Sequence, residues 1–136
     1  MVDEFDDVED LDERLLIGAT TLSADEVTDL IHRFGGLAVA SHVDRPGFGI
    51  FSQLGFIPKT VKLDALEVSR HSHFAKVRER FPQAGDYSLI TSSDAHYLKE
   101  IAAVVTLAKM AEPTFEELKK VLAGEEGRAI VEQTVR

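Results

Sequence analysis

Short apolar runs that alternate with helical patterns constrain the fold of this 136-residue chain more than any other feature. Three runs have the length and composition of buried strands, and they cover Leu37–Ser41, Leu63–Ser69 and Tyr87–Thr91. Helical segments lie before and between them. Strands that alternate with helices form parallel sheets through right-handed β–α–β connections. The sequence therefore predicts an α/β fold with a parallel sheet.

Capping signals mark two of the predicted helices. A hydroxyl residue followed three positions later by glutamate forms a capping box, and this occurs at Ser23 with Glu26 and at Thr114 with Glu117. The first of these helices should end at Gly35. Other predicted elements are a helical turn over Ile50–Leu54, a helix over His73–Phe81, a fourth strand over Ala103–Leu107 and an edge strand over Arg14–Gly18, whereas Arg128–Arg136 is ambiguous.

The formal net charge of −9 comes almost wholly from the amino-terminal segment. Met1–Glu13 holds eight acids and no base, and the rest of the chain has 16 acids for 15 bases. We expect residues 1–13 to form a solvated acidic loop or tail, with an acidic docking arm as the alternative, and 14–136 to form a single domain. The nearly neutral body gives no reason to expect non-specific nucleic-acid binding.

Several classes of protein are excluded by what the sequence lacks. No apolar stretch approaches the roughly 20 residues of a membrane-spanning helix, so no membrane partner is expected. The acidic start is unlike a signal peptide. Cysteine is absent, which excludes disulfides and thiolate metal ligands. These features predict a cytoplasmic protein whose metal ligands, if any, are nitrogen and oxygen atoms.

Histidine and aspartate follow two of the predicted strands. His42 comes directly after the first strand, and Asp94 and His96 come after the third. Residues two apart share one face of an extended backbone, and functional groups of parallel α/β folds gather at the carboxyl ends of strands. Imidazole and carboxylate suit Zn²⁺, Mn²⁺ or Fe²⁺. We expect a divalent metal site with Asp94 and His96 as its catalytic groups, against structural histidines and a loop-capping aspartate as the alternative.

Two further charged residues are candidates for the same site. Glu67 lies in an otherwise apolar strand, where a carboxylate needs a partner. An ion pair with Arg70 or Lys62 would provide this partner. Alternatively, Glu67 would bind a metal ion or orient a side chain that binds one. Arg45 has the guanidinium geometry for bidentate phosphate binding, and a structural salt bridge, for instance to Asp44, is the alternative.

The remaining histidines are weaker candidates. His71 and His73 form an H-x-H pair, but it follows the second strand and leads into a helix. A surface loop is the favoured interpretation. The alternatives are that the pair binds metal as a substitute for other ligands, or that it contacts substrate. His32 lies between apolar positions of the first helix and is expected to be structural or solvent-facing.

Three short segments resemble the carboxyl-terminal half of the PHP (polymerase and histidinol phosphatase) family of metal-dependent phosphoesterases. They are His42–Pro46, Leu54–Pro58 and Ser92–His96, and the last is followed by Tyr97 and Leu98. The resemblance runs from about residue 14 to residue 122. It implies a partial barrel with parallel strands, part of a distorted β/α barrel. It also implies metal ions held by the histidine and D-x-H motifs, and hydrolysis of a phosphate ester in a small molecule or a nucleotide.

The family's early motifs, including an amino-terminal H-x-H, have no counterpart before His42. We therefore expect this chain to carry only the late ligand motifs. Either it is a fragment, or its assigned start lies downstream of the true start, or another polypeptide completes the site. A half-barrel exposes strand edges, which predicts self-association or a missing amino-terminal half. The alternative is a catalytically inactive α/β module with an interaction or regulatory role.

Overall fold

The computed structural model describes residues 1, 3–5, 7–14 and 18–135, with side chains through 131. Its helices are α1 (Ala24–Arg33), α2 (Ile50–Leu54), α3 (Phe74–Arg80) and α4 (Phe115–Ala123). Its strands are β1 (Val39–Ala40), β2 (Ala65–Val68), β3 (Ser88–Thr91), β4 (Val104–Lys109) and β5 (Ala129–Val135). Short 3₁₀ helices cover Pro82–Asp86 and Leu98–Glu100.

The first three strands form a parallel sheet in the order β1–β2–β3. Val39 pairs with Ala65, and Leu66 pairs with Leu89. Buried residues dominate β2, as expected of a parallel strand covered on both faces. The predicted mixed α/β architecture with a parallel sheet is thus confirmed, and β1 is shorter than the apolar run that predicts it. The partial barrel stays a prediction.

The fourth predicted strand exists and lies outside the parallel sheet. β4 pairs antiparallel with β5 in a separate two-stranded sheet, and β5 occupies the segment that was ambiguous in sequence. Gly124 and Gly127, both with positive φ, lie in the turn between α4 and β5 and let the chain reverse there. Only the first residue of β4 is buried, which suits a ribbon covered on one side.

The described residues form a hydrophobic core against the parallel sheet. Its largest fully buried side chains are Val43, Ile57, Leu66, Val68 and Leu89, and each contributes roughly 1.5–3 kcal/mol by its removal from water. Phe51 of α2 and Phe81 after α3 stack with ring centroids 4.4 Å apart. This packing fixes the strand ends from which the candidate site is built.

Both predicted helix starts are found, although one capping box is not. The Glu26 carboxylate accepts a hydrogen bond from the Ser23 backbone N–H at 2.8 Å, which completes the first box. Thr114 caps α4 by accepting from the Glu117 N–H. The Glu117 side chain turns instead toward Arg128, whose guanidinium bonds both carboxylate oxygens at 2.8 and 2.9 Å. Because the Glu117 carboxylate forms an ion pair with Arg128, it does not complete the capping box.

The described residues of the amino-terminal acidic segment are exposed, except for the half-buried Asp3. The Asp3 carboxylate accepts from the backbone of Phe5 and of Asp7, so local turns order part of it. The predicted edge strand over Arg14–Gly18 falls largely on residues 15–17, which lie outside the described residues. The division at residue 13 stays a prediction. Across the described ranges, no helix is long and apolar enough to cross a membrane.

Candidate active site at the carboxyl ends of the parallel strands

The loop after β1 is a compact turn that presents His42 and Arg45. The Arg45 N–H donates to the His42 carbonyl at 3.0 Å, and the Gly49 N–H donates to the Arg45 carbonyl at 3.2 Å. A Cβ at Gly49 would lie 2.4 Å from the carbonyl oxygen of Val43, so only glycine fits there. Because Gly49 has no side chain, the loop backbone packs closely at this point, and this packing orients Arg45.

The same loop is tied to the strand beside it. The Val43 N–H donates to the Glu67 carbonyl at 2.9 Å. The Asp44 carboxylate accepts from both the N–H and the hydroxyl of Ser69 at 2.7 Å. Burial raises the pKa of Asp44, but hydrogen bonds from Ser72 and Ser69 outweigh it, and the pKa lies below its ordinary value. Asp44 is thus an ionised structural bridge between the loops after β1 and β2.

His42 adopts a backbone conformation that few residues other than glycine adopt, with φ +31°. Its Nδ1 is buried and finds no hydrogen-bond partner among the described residues. Buried polar atoms are nearly always paired, and unusual backbone conformations concentrate at functional sites. Both observations are those expected of an imidazole that awaits a ligand.

Asp94 also has a positive φ, +49°, and lies after β3. The Arg45 guanidinium donates to its carboxylate at 2.5 Å. This hydrogen bond is the main reason why the pKa of Asp94 lies below its ordinary value, and the charges of His96 and His42 act in the same direction. Asp44 is the salt-bridge partner considered for Arg45 from sequence, but Arg45 pairs with Asp94 in the structure, because Asp44 is engaged by Ser69.

The imidazole of His96 is oriented by its own loop. Its Nδ1 lies 2.8 Å from the Asp94 carbonyl oxygen, which is an acceptor, so Nδ1 carries the proton. In the neutral form of this ring, the other nitrogen, Nε2, has the lone pair. The His96 N–H donates to the Glu100 carboxylate at 3.0 Å. His96 is exposed, and its ring has the tautomer that a metal ligand through Nε2 needs.

Glu67 is half-buried and its carboxylate accepts a hydrogen bond from the Ser92 hydroxyl. The ion pair predicted for it is not formed, because its two candidate partners are engaged elsewhere. Lys62 pairs with Asp29 at 2.8 Å, and Arg70 lies beside Glu100. The structure brings Glu67 to the same edge of the sheet as the other candidates without assigning it a ligand role.

The candidate ligands fit a divalent ion by chemistry but are not gathered around one point. Within the described ranges, no group of three or more His, Asp or Glu side chains is arranged to hold a metal ion. His42 and His96 each offer an uncommitted ring nitrogen, and Asp94 gives an oxygen to Arg45. Arg45 therefore supplies the positive charge that Asp94 faces here. The nitrogen and oxygen donors of these side chains suit Zn²⁺, Mn²⁺ or Fe²⁺.

The remaining histidines are placed as predicted. His71 and His73 are exposed at the surface where the chain enters α3. His32 bonds the Asp64 carboxylate through Nε2 at 2.8 Å, and the same oxygen accepts from the Ala38 N–H. His32 is thus a structural residue at the opposite end of the sheet from His42.

Three groups that act on the candidate site were missed in sequence. Ser92 bonds Glu67, Arg70 donates to the Ser93 carbonyl at 3.2 Å, and Glu100 holds His96. Arg70 was considered in sequence as an ion-pair partner of Glu67, whereas its contact with the Ser93 carbonyl depends on loop geometry. Glu100, four residues after His96, carried no motif that distinguishes it from a surface acid.

Comparison with solved structures gives two matches, both endonucleases. One is the lesion-specific endonuclease PfuEndoQ from Pyrococcus furiosus, with a TM-score of 0.64 and 22% identity. The other is Endonuclease Q in complex with a 27-mer duplex that has an abasic lesion at the active site, with a TM-score of 0.65 and 20% identity. Each match covers 82% of this chain and 29% of the endonuclease chain. No family model and no curated protein matches the sequence. The comparisons show a shared α/β fold over under a third of those enzymes.

Proposed function

We propose that this chain carries part of the active site of a metal-dependent phosphodiester hydrolase. The observation that supports it most is the meeting of the loops after β1 and β3, which places Arg45 against Asp94 and leaves a ring nitrogen of His42 and of His96 uncommitted. Two endonuclease structures share this α/β fold over 82% of the chain. The sequence motifs and the structural likeness thus point to one class of enzyme.

In this proposal His42, Asp94 and His96 hold a divalent ion. When bound, the ion would activate water and neutralise charge on a phosphate. Arg45 has a second role, because its guanidinium can bind phosphate oxygens once the carboxylate of Asp94 faces the ion. The Asp94 carbonyl keeps the His96 ring in the tautomer that presents Nε2. Glu67, bonded to Ser92, supports the edge of the site.

The substrate class we propose is a nucleic acid. One structural match contains a 27-mer duplex substrate with an abasic lesion at the active site, and the other is described as lesion-specific. This extends the nucleotide substrate expected from the sequence to a polymer. The nearly neutral body of the chain would contribute little non-specific affinity, so recognition would depend on the site itself and on whatever completes it.

Hydrolysis of bis(p-nitrophenyl) phosphate tests the chemistry without requiring nucleic-acid recognition. The chain, alone and with Zn²⁺, Mn²⁺ or Fe²⁺, should release p-nitrophenol only with an ion, and Asp94→Ala should abolish the release. His73→Ala is the matched control because His73 is exposed at the start of α3 and its side chain makes no cap hydrogen bond. A labelled duplex with one abasic site, compared with an undamaged duplex, then tests the substrate class.

A catalytically inactive module is the second candidate. The observation that favours it is the unassembled state of the ligands, with Asp94 engaged by Arg45. Several large apolar side chains are also exposed, Phe34 and Leu98 among them, at 86% and 88%. An interaction module would show no ion-dependent hydrolysis but would bind a protein partner or itself. Light scattering over a wide concentration range measures the predicted self-association directly.

A further inference from the structure

We propose that Glu100 is a positioning residue that fixes the Asp94–His96 loop in the conformation the metal ligands need. This inference rests on the proposed function for the role of His96, but the contacts that carry it do not. Glu100 belongs to the 3₁₀ helix Leu98–Glu100, which follows the D-x-H motif directly. Its side chain folds back onto the loop instead of extending into solvent.

Both carboxylate oxygens of Glu100 are used. Oε2 accepts from the His96 N–H at 3.0 Å, and Oε1 lies 3.7 Å from the Arg70 guanidinium. Only 24% of the Glu100 side chain is exposed. A carboxylate oxygen is a strong acceptor for that N–H.

Arg70 extends the contact to the start of the loop. The same nitrogen that faces Glu100 donates to the Ser93 carbonyl at 3.2 Å. The Ser93 hydroxyl is buried and bonds the backbone of Val104, which anchors this end to β4. The pair of Glu100 and Arg70 therefore holds the loop at two points, one before Asp94 and one at His96.

The loop needs such support because Asp94 has a positive φ. A residue other than glycine in that conformation is strained and persists only where the surroundings determine it. The His96 ring takes its orientation from the Asp94 carbonyl, so a shift of the loop moves the ring as well. Glu100 thus controls the direction of two proposed ligands without touching substrate or ion.

Amide hydrogen exchange at His96, followed by NMR, tests the positioning role without a metal. In Glu100→Ala the His96 amide should exchange about tenfold faster or more, because its acceptor is lost. Glu100→Gln retains a carbonyl oxygen that can accept the same bond, so protection should largely return. Glu79→Ala, which removes an exposed glutamate from α3, is the control and should leave the His96 amide unchanged.

Two results would overturn the proposal: an unchanged His96 amide in Glu100→Ala, or equally fast exchange in Glu100→Gln and Glu100→Ala. If Glu100→Ala accelerates exchange throughout the chain, that variant is destabilised as a whole. The difference in His96 exchange between Glu100→Gln and Glu100→Ala then decides whether Glu100 has the positioning role. Calorimetric titration with Zn²⁺ adds the functional arm, in which Glu100→Ala should weaken binding by about tenfold or more and Glu100→Gln by less. Failure of the unsubstituted chain to bind Zn²⁺ would count against the proposed function, while the exchange result would still decide the positioning role.

Discussion

Arg45 and Asp94 form a salt bridge with 2.5 Å between guanidinium nitrogen and carboxylate oxygen, and it joins the loops that follow the first and third strands of the parallel sheet. The two residues are 49 positions apart in sequence. The bridge places a phosphate-binding side chain and a candidate metal ligand in direct contact. It also gives Asp94 a cationic partner in a site whose other candidate ligands are imidazoles.

Replacement of Arg45 by alanine should raise the pKa of Asp94, because the hydrogen bond from Arg45 is the main reason it is low. Carboxyl ¹³C chemical shifts of Asp94, followed from pH 2 to 7, measure the change. Arg78→Ala, at an exposed position of α3, should leave the titration unchanged. An Asp94 titration that is the same in Arg45→Ala and in the unsubstituted chain would show that the salt bridge is not formed in solution.

Gly49→Ala should destabilise the fold by about 1–3 kcal/mol, because its Cβ would lie within 2.4 Å of a backbone oxygen and the loop would have to shift. Urea denaturation followed by circular dichroism measures the loss. Gly47→Ala is the matched control, since a Cβ there meets nothing within 4 Å. Equal stability of the two variants would contradict the close approach that aims Arg45.

Glu117 should make the stability of the chain depend on acid pH. Arg128 holds the pKa of Glu117 at about 2 in the folded protein, whereas the unfolded value is about 4.3. Because the folded pKa is depressed, the stabilisation is complete above the unfolded pKa and is lost as pH falls through the folded one. Glu117→Gln should therefore lower the Tm at pH 7 by several degrees and reduce its fall between pH 5 and pH 2.

Glu116→Gln is the control for this measurement, because its side chain is 75% exposed and its ion pair with Lys119 should contribute little. Thermal melts of both variants across the same pH series separate a buried pair from a surface one. A Glu117→Gln variant whose Tm falls with acid as steeply as that of the unsubstituted chain would rule out the linkage.

Thr106 joins the two sheets, since its hydroxyl accepts from the Thr91 N–H at 2.7 Å and donates to the Thr91 carbonyl at 2.8 Å. Thr106→Val keeps the shape of the side chain but leaves both backbone groups unpaired, and it should cost about 1–3 kcal/mol in urea denaturation. Thr60→Val, at an exposed turn, should change stability little. No difference between the variants would mean that water replaces the bridge.

The sequence predicted the elements better than their pairing. Periodicity and capping signals located α1, α3 and the three parallel strands, because these depend on local pattern and burial. The antiparallel partner of β4 could not be predicted, since pairing depends on a turn at Gly124 and Gly127 whose effect on direction is not local. Likewise His42 and Asp94 were identified as strand-end residues, whereas the contact of Asp94 with Arg45 required the fold.

Metal content per chain tests the central claim most directly. Protein purified without a tag or chelator is reconstituted with Zn²⁺ or Mn²⁺, dialysed and measured by elemental analysis, alongside His42→Ala, Asp94→Ala, His96→Ala and the control His73→Ala. We predict at least one tightly held ion in the unsubstituted chain and in His73→Ala, and its loss from the other three variants. No retained ion, or equal retention in all variants, would contradict it.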